Sequence, residues 1–146
     1  LFTAELDDGD IQSGHIYVAR TLSKDRHIAE HANRMLKIGV TGSDAHRRIV
    51  DAVNDPTFLL APAAIVTTFT LYNINRSRLE ALLHRFFDPV RADIEITDRF
   101  GKPVRPREWF FVTADHVTEV VRRIQDGSIT RCYFDPKLGI VDTANL

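Results

Sequence analysis

Tyr17, Lys37, Arg48 and Glu80 supply a phenol, an amine, a guanidinium and a carboxylate. They sit in the stretches Gly14-His15-Ile16-Tyr17-Val18, Lys37-Ile38-Gly39-Val40-Thr41-Gly42, Arg47-Arg48 and Leu79-Glu80-Ala81-Leu82-Leu83-His84. Water-driven cleavage of a phosphodiester needs an oriented water, positive charge on the phosphorus oxygens and help for the departing oxygen. Tyr17 can position or deprotonate the water, acting as base if a cation such as Lys37 lowers its pKa. Arg48 can take the phosphate through its planar fork, and Lys37 adds a second positive charge. Glu80 can hold one divalent ion, Mg²⁺ or Mn²⁺, which accepts a single carboxylate and fills its shell with waters and phosphate oxygens. His15, Arg47, His84 and Arg85 lie beside these positions as candidate substrate-binding residues.

Each position also has a structural reading. Tyr17 can be a half-buried strand aromatic and Lys37 a solvated lysine. Arg48 can pair with Asp44 or Asp51, and Glu80 with Arg76 or His84, as helix neighbours commonly do. His84 serves either as a partner of Glu80 or phosphate, or as a helix-surface residue. Glu108 and Trp109 are expected to close the core over the helix that carries Glu80.

Periodicity assigns these side chains to elements. Residues 15–20 alternate as a strand, with Ile16 and Val18 on one face and Tyr17 and Ala19 on the other. Residues 21–35 form a polar, irregular or partly helical excursion, and residues 36–40 a second strand paired to the first. Ser43 is expected to cap a helix running to about Val53, stopped by Asn54-Asp55-Pro56. In that helix Ala45, Ile49 and Ala52 share a stripe with Arg48, while Arg47 projects away. Residues 63–72 read as a third strand. Residues 73–77 offer caps for a second helix with Leu79, Leu82, Leu83 and Phe86 inward, ended by Pro89. Further on, residues 93–97 and 106–112 read as strands, residues 114–125 as a helix capped by Thr113, and residues 129–134 with 139–141 as a closing strand pair.

Composition frames the chemistry. The 146 residues are 44% hydrophobic and 27% charged, enough for one core and too few for two comfortable domains. The formal net charge of −1 conceals an asymmetry. Arg20, Lys24, Arg26, Arg34, Lys37, Arg47 and Arg48 outnumber Asp25, Glu30 and Asp44 in the motif-bearing stretch, whereas Glu5, Asp7, Asp8 and Asp10 crowd the beginning. The single cysteine, Cys132, can form no internal disulfide and points to a reducing, cytoplasmic setting. The longest apolar run, residues 58–66, is broken by Pro62 and too short to span a membrane. The start at Leu1 is read as a piece of a longer protein.

The motifs together resemble the GIY-YIG nuclease superfamily, in particular its phage-type branch with a Lys-Ile-Gly second motif. His15-Ile16-Tyr17 is similar to the first motif through its tyrosine and Lys37-Ile38-Gly39 to the second. Arg48 is similar to the helix arginine, Glu80 to the metal-binding glutamate, and Glu108-Trp109-Phe110 to a downstream marker. The resemblance implies an α+β fold, a small central antiparallel sheet flanked by helices, with additional C-terminal strands and helix. It divides the chain into an acidic leader (1–13), a nuclease domain (14–126) and a C-terminal strand pair or tail (127–146). It implies a divalent-metal-dependent DNA endonuclease with Tyr17, Lys37, Arg48 and Glu80 as catalytic residues and Glu80 as the metal ligand. A homodimer, or fusion to another domain, fits such a unit. A DNA-binding module of the same fold without turnover, and a protein-interaction domain, are the competing expectations.

Overall fold

Alternation of apolar with small or polar residues produces a sheet whose two faces bury different chemistry. The structure, a computed structural model, describes residues 12–146. All but the last two residues of the expected acidic leader lie outside them. Strand β1 (Gln12–Thr21) is followed by a one-turn helix α1 (Arg26–Ala29), β2 (Leu36–Thr41) and a second one-turn helix α2 (Ala45–Arg48). Then come β3 (Ala63–Ile74), α3 (Arg76–Phe86), the two-residue strands β4 (Ile96–Thr97), β5 (Pro103–Val104) and β6 (Trp109–Phe110), α4 (Ala114–Asp126), and the hairpin β7 (Cys132–Asp135) and β8 (Gly139–Asp142). The fold is α+β, with a central antiparallel four-stranded sheet in the order β3-β1-β2-β6.

Ile16 and Val18 of β1 point into the larger core, with Ile38, Leu71, the α3 residues Leu79 and Leu83, and Val117, Val120, Val121 and Ile124 of α4. Tyr17 and Ala19 point the other way, against Ala45, Ala52 and Phe58. A third cluster gathers Ile28, Met35, Leu59, Ala92 and Trp109. Trp109 therefore does not close the core over α3 as expected. It pairs in register with Lys37, and its indole Nε1 donates to the Thr57 carbonyl at 3.0 Å. Alternation along β6 gives the α3 side to Phe110 instead.

The α2 helix is shorter than its sequence suggests. Asp44, not Ser43, is the cap, its side chain accepting from the His46 N–H, and α-helical geometry ends at Arg48. Ile49-Val50-Asp51 is a poor helix former. With Val50 80% exposed, the segment has little apolar surface to bury by continuing. The chain passes instead through 3₁₀ turns at Ala52–Asn54 and Pro56–Phe58, which bring Asp55 and Phe58 back over the sheet. By contrast α3 begins where expected, with Asn75 accepting from the Arg78 N–H, and α4 opens with a reciprocal cap between Thr113 and His116.

The β7–β8 hairpin is fastened to α4 by charge as well as by Phe134. Asp142 accepts from Arg131 Nε at 2.8 Å and from Arg123 Nη1 at 2.7 Å. The Arg131 bond, then the Ala144 amide and Arg123, hold its carboxyl well below the ordinary carboxylate range. A carboxylate depressed in the folded state stabilises it above the unfolded pKa of about 4 and loses that contribution as pH falls further. The Asp142→Asn variant is expected to melt at a lower temperature than the parent at pH 7, with the gap narrowing on acidification. Calorimetry across pH 7 to 3 checks this, and a gap that does not change with pH would contradict it.

Candidate active site

Cross-strand register explains how Tyr17 reaches Lys37. Tyr17 lies opposite Gly39, and Lys37 is two residues earlier on the same face of β2. A Cβ at Gly39 would stand 2.3 Å from both Cζ and the hydroxyl of Tyr17, so the phenol ring occupies the space that any other residue would fill. It lies across the glycine, and Lys37 Nζ donates to its oxygen at 2.6 Å. Gly39 has no positive φ to explain it; close approach of the ring is the reason for glycine. Gly39→Ala is accordingly expected to push the phenol off Lys37, costing about 1–3 kcal/mol by overpacking. It should remove most of whatever catalysis the pair supports, as a melting curve and a cleavage assay on one preparation would reveal.

Both members of the pair are buried, each 2% exposed. Lys37 Nζ is 4.4 Å from the Phe58 ring centroid and 4.8 Å from that of Tyr17, which stacks on Phe58 with centroids 6.1 Å apart. Burial lowers the Lys37 amine to about 8, the nearby Glu108 pushing it up and Arg48 down. Burial also raises the Tyr17 phenol well above its ordinary range; Arg48 works against this, while Glu80, Glu108 and Asp55 reinforce it. The condition under which Tyr17 would act as a base by itself, a pKa lowered by neighbouring cations, is therefore not met by its surroundings. Desolvation outweighs Arg48, which favours the protonated phenol.

Arg48 comes from α2 and lies with its guanidinium carbon 5.0 Å from the Phe58 ring centroid, its side chain 37% exposed. Its Nη1 donates to Asp55 Oδ2 at 2.9 Å. The partner is therefore Asp55, rather than Asp44 or Asp51. Asp55 also accepts from the Thr57 N–H and hydroxyl. Burial works against its charge, but the bonds from Arg48 and Thr57 outweigh it and keep the carboxyl below its ordinary value. Arg47 is exposed, and its side chain makes no hydrogen bond or ion pair among the described residues.

Glu80 and His84 arrive from α3 and complete the outer edge of β2. That edge is paired with β6 only at Leu36 and Lys37, after which the Ile38 N–H donates to the Glu108 carbonyl. The remaining backbone groups are met by side chains: His84 Nε2 donates to the Ile38 carbonyl at 2.7 Å, and Glu80 Oε2 accepts from the Val40 N–H at 3.0 Å. These bonds replace the expected pairings of Glu80 with Arg76 or His84. The Val40 bond orients the carboxylate, as a good ligand support does. Among the described residues no three His, Cys, Asp or Glu side chains converge on a point that could hold a metal. The donor set therefore does not suit an ion held wholly by protein. Glu80 is the one residue of the set that could hold Mg²⁺ or Mn²⁺, which accept a single carboxylate and complete their shell from water and phosphate.

The remaining candidates are peripheral. His15 lies on the Tyr17 face of β1, with its Nδ1 2.9 Å from the hydroxyl of Thr70 on β3. Arg85 is exposed on α3 and makes no side-chain bond among the described residues. Asp55 and Phe58 were not singled out from the sequence. Asp55-Pro56 carries the signature of a cap preceding a proline at the first helical position; nothing local marks Phe58.

The sequence model of one family, the T5orf172 domain, matches residues 14–125. The chain belongs to the T5orf172 domain family. That match runs from within β1 to the last turn of α4 and corrects the resemblance to the GIY-YIG superfamily, since the family shown is a distinct one. A relative by sequence is an uncharacterized protein, YeeC, of Bacillus subtilis (strain 168), 37% identical to this chain over 117 residues. Those residues are 80% of this chain and 30% of YeeC, so the chain spans about a third of the curated relative it matches. No solved structure matches this T5orf172 chain. Among the described residues no helix is long and apolar enough to cross a membrane.

Proposed function

We propose that this T5orf172 domain hydrolyses phosphodiester bonds of DNA with the aid of one divalent cation. The observation that carries the reading is the 2.6 Å bond between Lys37 Nζ and the Tyr17 hydroxyl, at a place where the charges of Arg48 and Glu80 both act on the phenol. A protonated phenol beside an amine lowered to about 8 makes a two-step base. With Lys37 neutral, the phenol proton passes to Nζ as the attacking water gives a proton to the phenol oxygen. The water oxygen then bonds to phosphorus as the bond to the leaving oxygen breaks, and that oxygen takes its proton from bulk water while Lys37 Nζ returns its extra proton to solvent. Lys37 thus serves the water, not the phosphate. Arg48 holds the phosphate, which competes with Asp55 for the guanidinium fork. Glu80 would hold the cation, whose bound form supplies Lewis-acid stabilisation of phosphate charge.

The burial of Tyr17 and Lys37 favours a second reading, a DNA-binding module without turnover. Incubating plasmid and single-stranded DNA with Mg²⁺ or Mn²⁺ separates the two, using the parent beside Tyr17→Phe and Arg48→Ala. Cutting by the parent, lost in both variants, supports the hydrolase. DNA binding by a parent that cuts no substrate under either ion leaves the binding module.

A further inference from the structure

Gly42 closes the stretch that begins at Lys37, and nothing in the catalytic proposal uses it. Its backbone has no positive φ, so conformation does not require glycine there. Space does: a Cβ would stand 2.3 Å from Cζ of Arg76, 2.4 Å from its Nη1 and 2.6 Å from its Nη2. The guanidinium lies directly on the glycine. Its stem passes Gly14, where a Cβ would meet Cγ of Arg76 at 3.4 Å. Arg76 Nε donates to the Ser13 carbonyl at 2.8 Å, fixing the plane of the fork.

Two features of this arginine ask for a ligand. It is the first residue of α3, where the helix dipole disfavours a cation. Its terminal amino groups make no hydrogen bond or ion pair among the described residues, although the side chain is half-buried and held in place. Glu80 stands one helical turn further on, the two residues are not bonded to each other among the described residues, and both reach the end of β2. We propose that Arg76, seated on Gly42, binds a backbone phosphate of the nucleic-acid strand beside Glu80, as a positioning residue. The proposal rests on the reading of this site as one that takes nucleic acid. A fork already oriented by one bond loses little freedom on engaging a phosphate, which suits arginine better than lysine.

The test is the salt dependence of binding to a short DNA duplex without divalent ions, so that nothing is cut. Compared are the parent, Arg76→Gln, Gly42→Ala and Arg122→Ala, the last removing an exposed arginine of α4 that bonds Glu119. Each phosphate contact contributes about 0.9 to the slope of log affinity against log salt. Arg76→Gln, which can still reach the Ser13 carbonyl, is expected to lose about that much. Gly42→Ala keeps the charge but displaces the fork, and is expected to lose the same, while Arg122→Ala keeps the parental slope. A purely structural arginine would lower melting temperatures in both site variants and leave the slopes parental, overturning the proposal alone. A parent without salt-dependent affinity for DNA would overturn the nucleic-acid reading together with it.

Discussion

Replacing Lys37 by methionine is expected to lower the cleavage rate by on the order of 10²–10⁴-fold, the range that a general base contributes. It should also erase the rise in rate expected of the parent as pH passes through about 8. The sign follows from the lowered amine. Below that value Lys37 is an ammonium that can only donate to Tyr17; above it the amine is neutral and can accept the phenol proton. The parental rate should climb about tenfold from pH 7 to pH 9 and then level. If Lys37 instead worked as a cation against phosphate, the rate would fall through the same interval. Methionine keeps the contacts with Phe58 and Tyr17 and removes a buried charge, which offsets the cost of about 1–3 kcal/mol for leaving the Tyr17 hydroxyl without its partner, so loss of folding is not the expected cause of inactivity. A pH–rate profile of parent and variant, both checked by melting temperature, decides the matter.

The parts of this site legible in the sequence are those fixed by short-range periodicity. Alternation in Ile16-Tyr17-Val18 puts Tyr17 opposite the core face, and helical phase turns Arg48 inward and Arg47 outward; the structure has both arrangements. Asn75 and Thr113 are caps because a polar side chain ahead of an apolar stripe has a local hydrogen bond to make. Such features depend on neighbours within a turn or a strand.

What the sequence did not disclose depends on distant parts of the chain. Tyr17 could be placed on a face, but whether that face met water or Phe58 depended on the path of residues 49–58, where low helix propensity redirected the chain. The sign of its pKa shift followed from that burial. Arg48 had acidic neighbours at helical spacing, yet its partner lies beyond the helix end, because α2 stops after one turn. The strand read at residues 106–112 shrank to Trp109–Phe110 because the rest of the β2 edge is satisfied by the Glu108 carbonyl and by two α3 side chains. A side chain standing in for a strand leaves no periodic trace.

On the proposed function Glu80 has two duties, completing the strand edge and holding the cation, and the largest expected loss of activity comes from separating them. Glu80→Ala would remove the carboxylate and also leave the Val40 N–H without its partner, a cost of about 1 kcal/mol at this half-buried edge. Glu80→Gln is the sharper variant, since its amide oxygen can still accept from Val40 while the charge that would hold a cation is gone. It is expected to fold as the parent does and to lose metal-dependent cutting. Binding to DNA in the absence of divalent ions should be undiminished or tighter, because one negative charge beside the phosphates has been removed. An ion that serves chiefly the transition state leaves ground-state binding largely alone, so cutting and binding should part company in this variant. Cutting that persists in Glu80→Gln with Mg²⁺ would mean that the carboxylate only completes the sheet edge. Binding that falls as far as cutting would mean that its loss had disturbed the surface on which DNA lies. Titrating Mn²⁺ against the cleavage rate gives a further reading: a ligand role predicts that the ion needed for half-maximal rate increases in any variant with residual activity, whereas a purely structural role leaves it at the parental value.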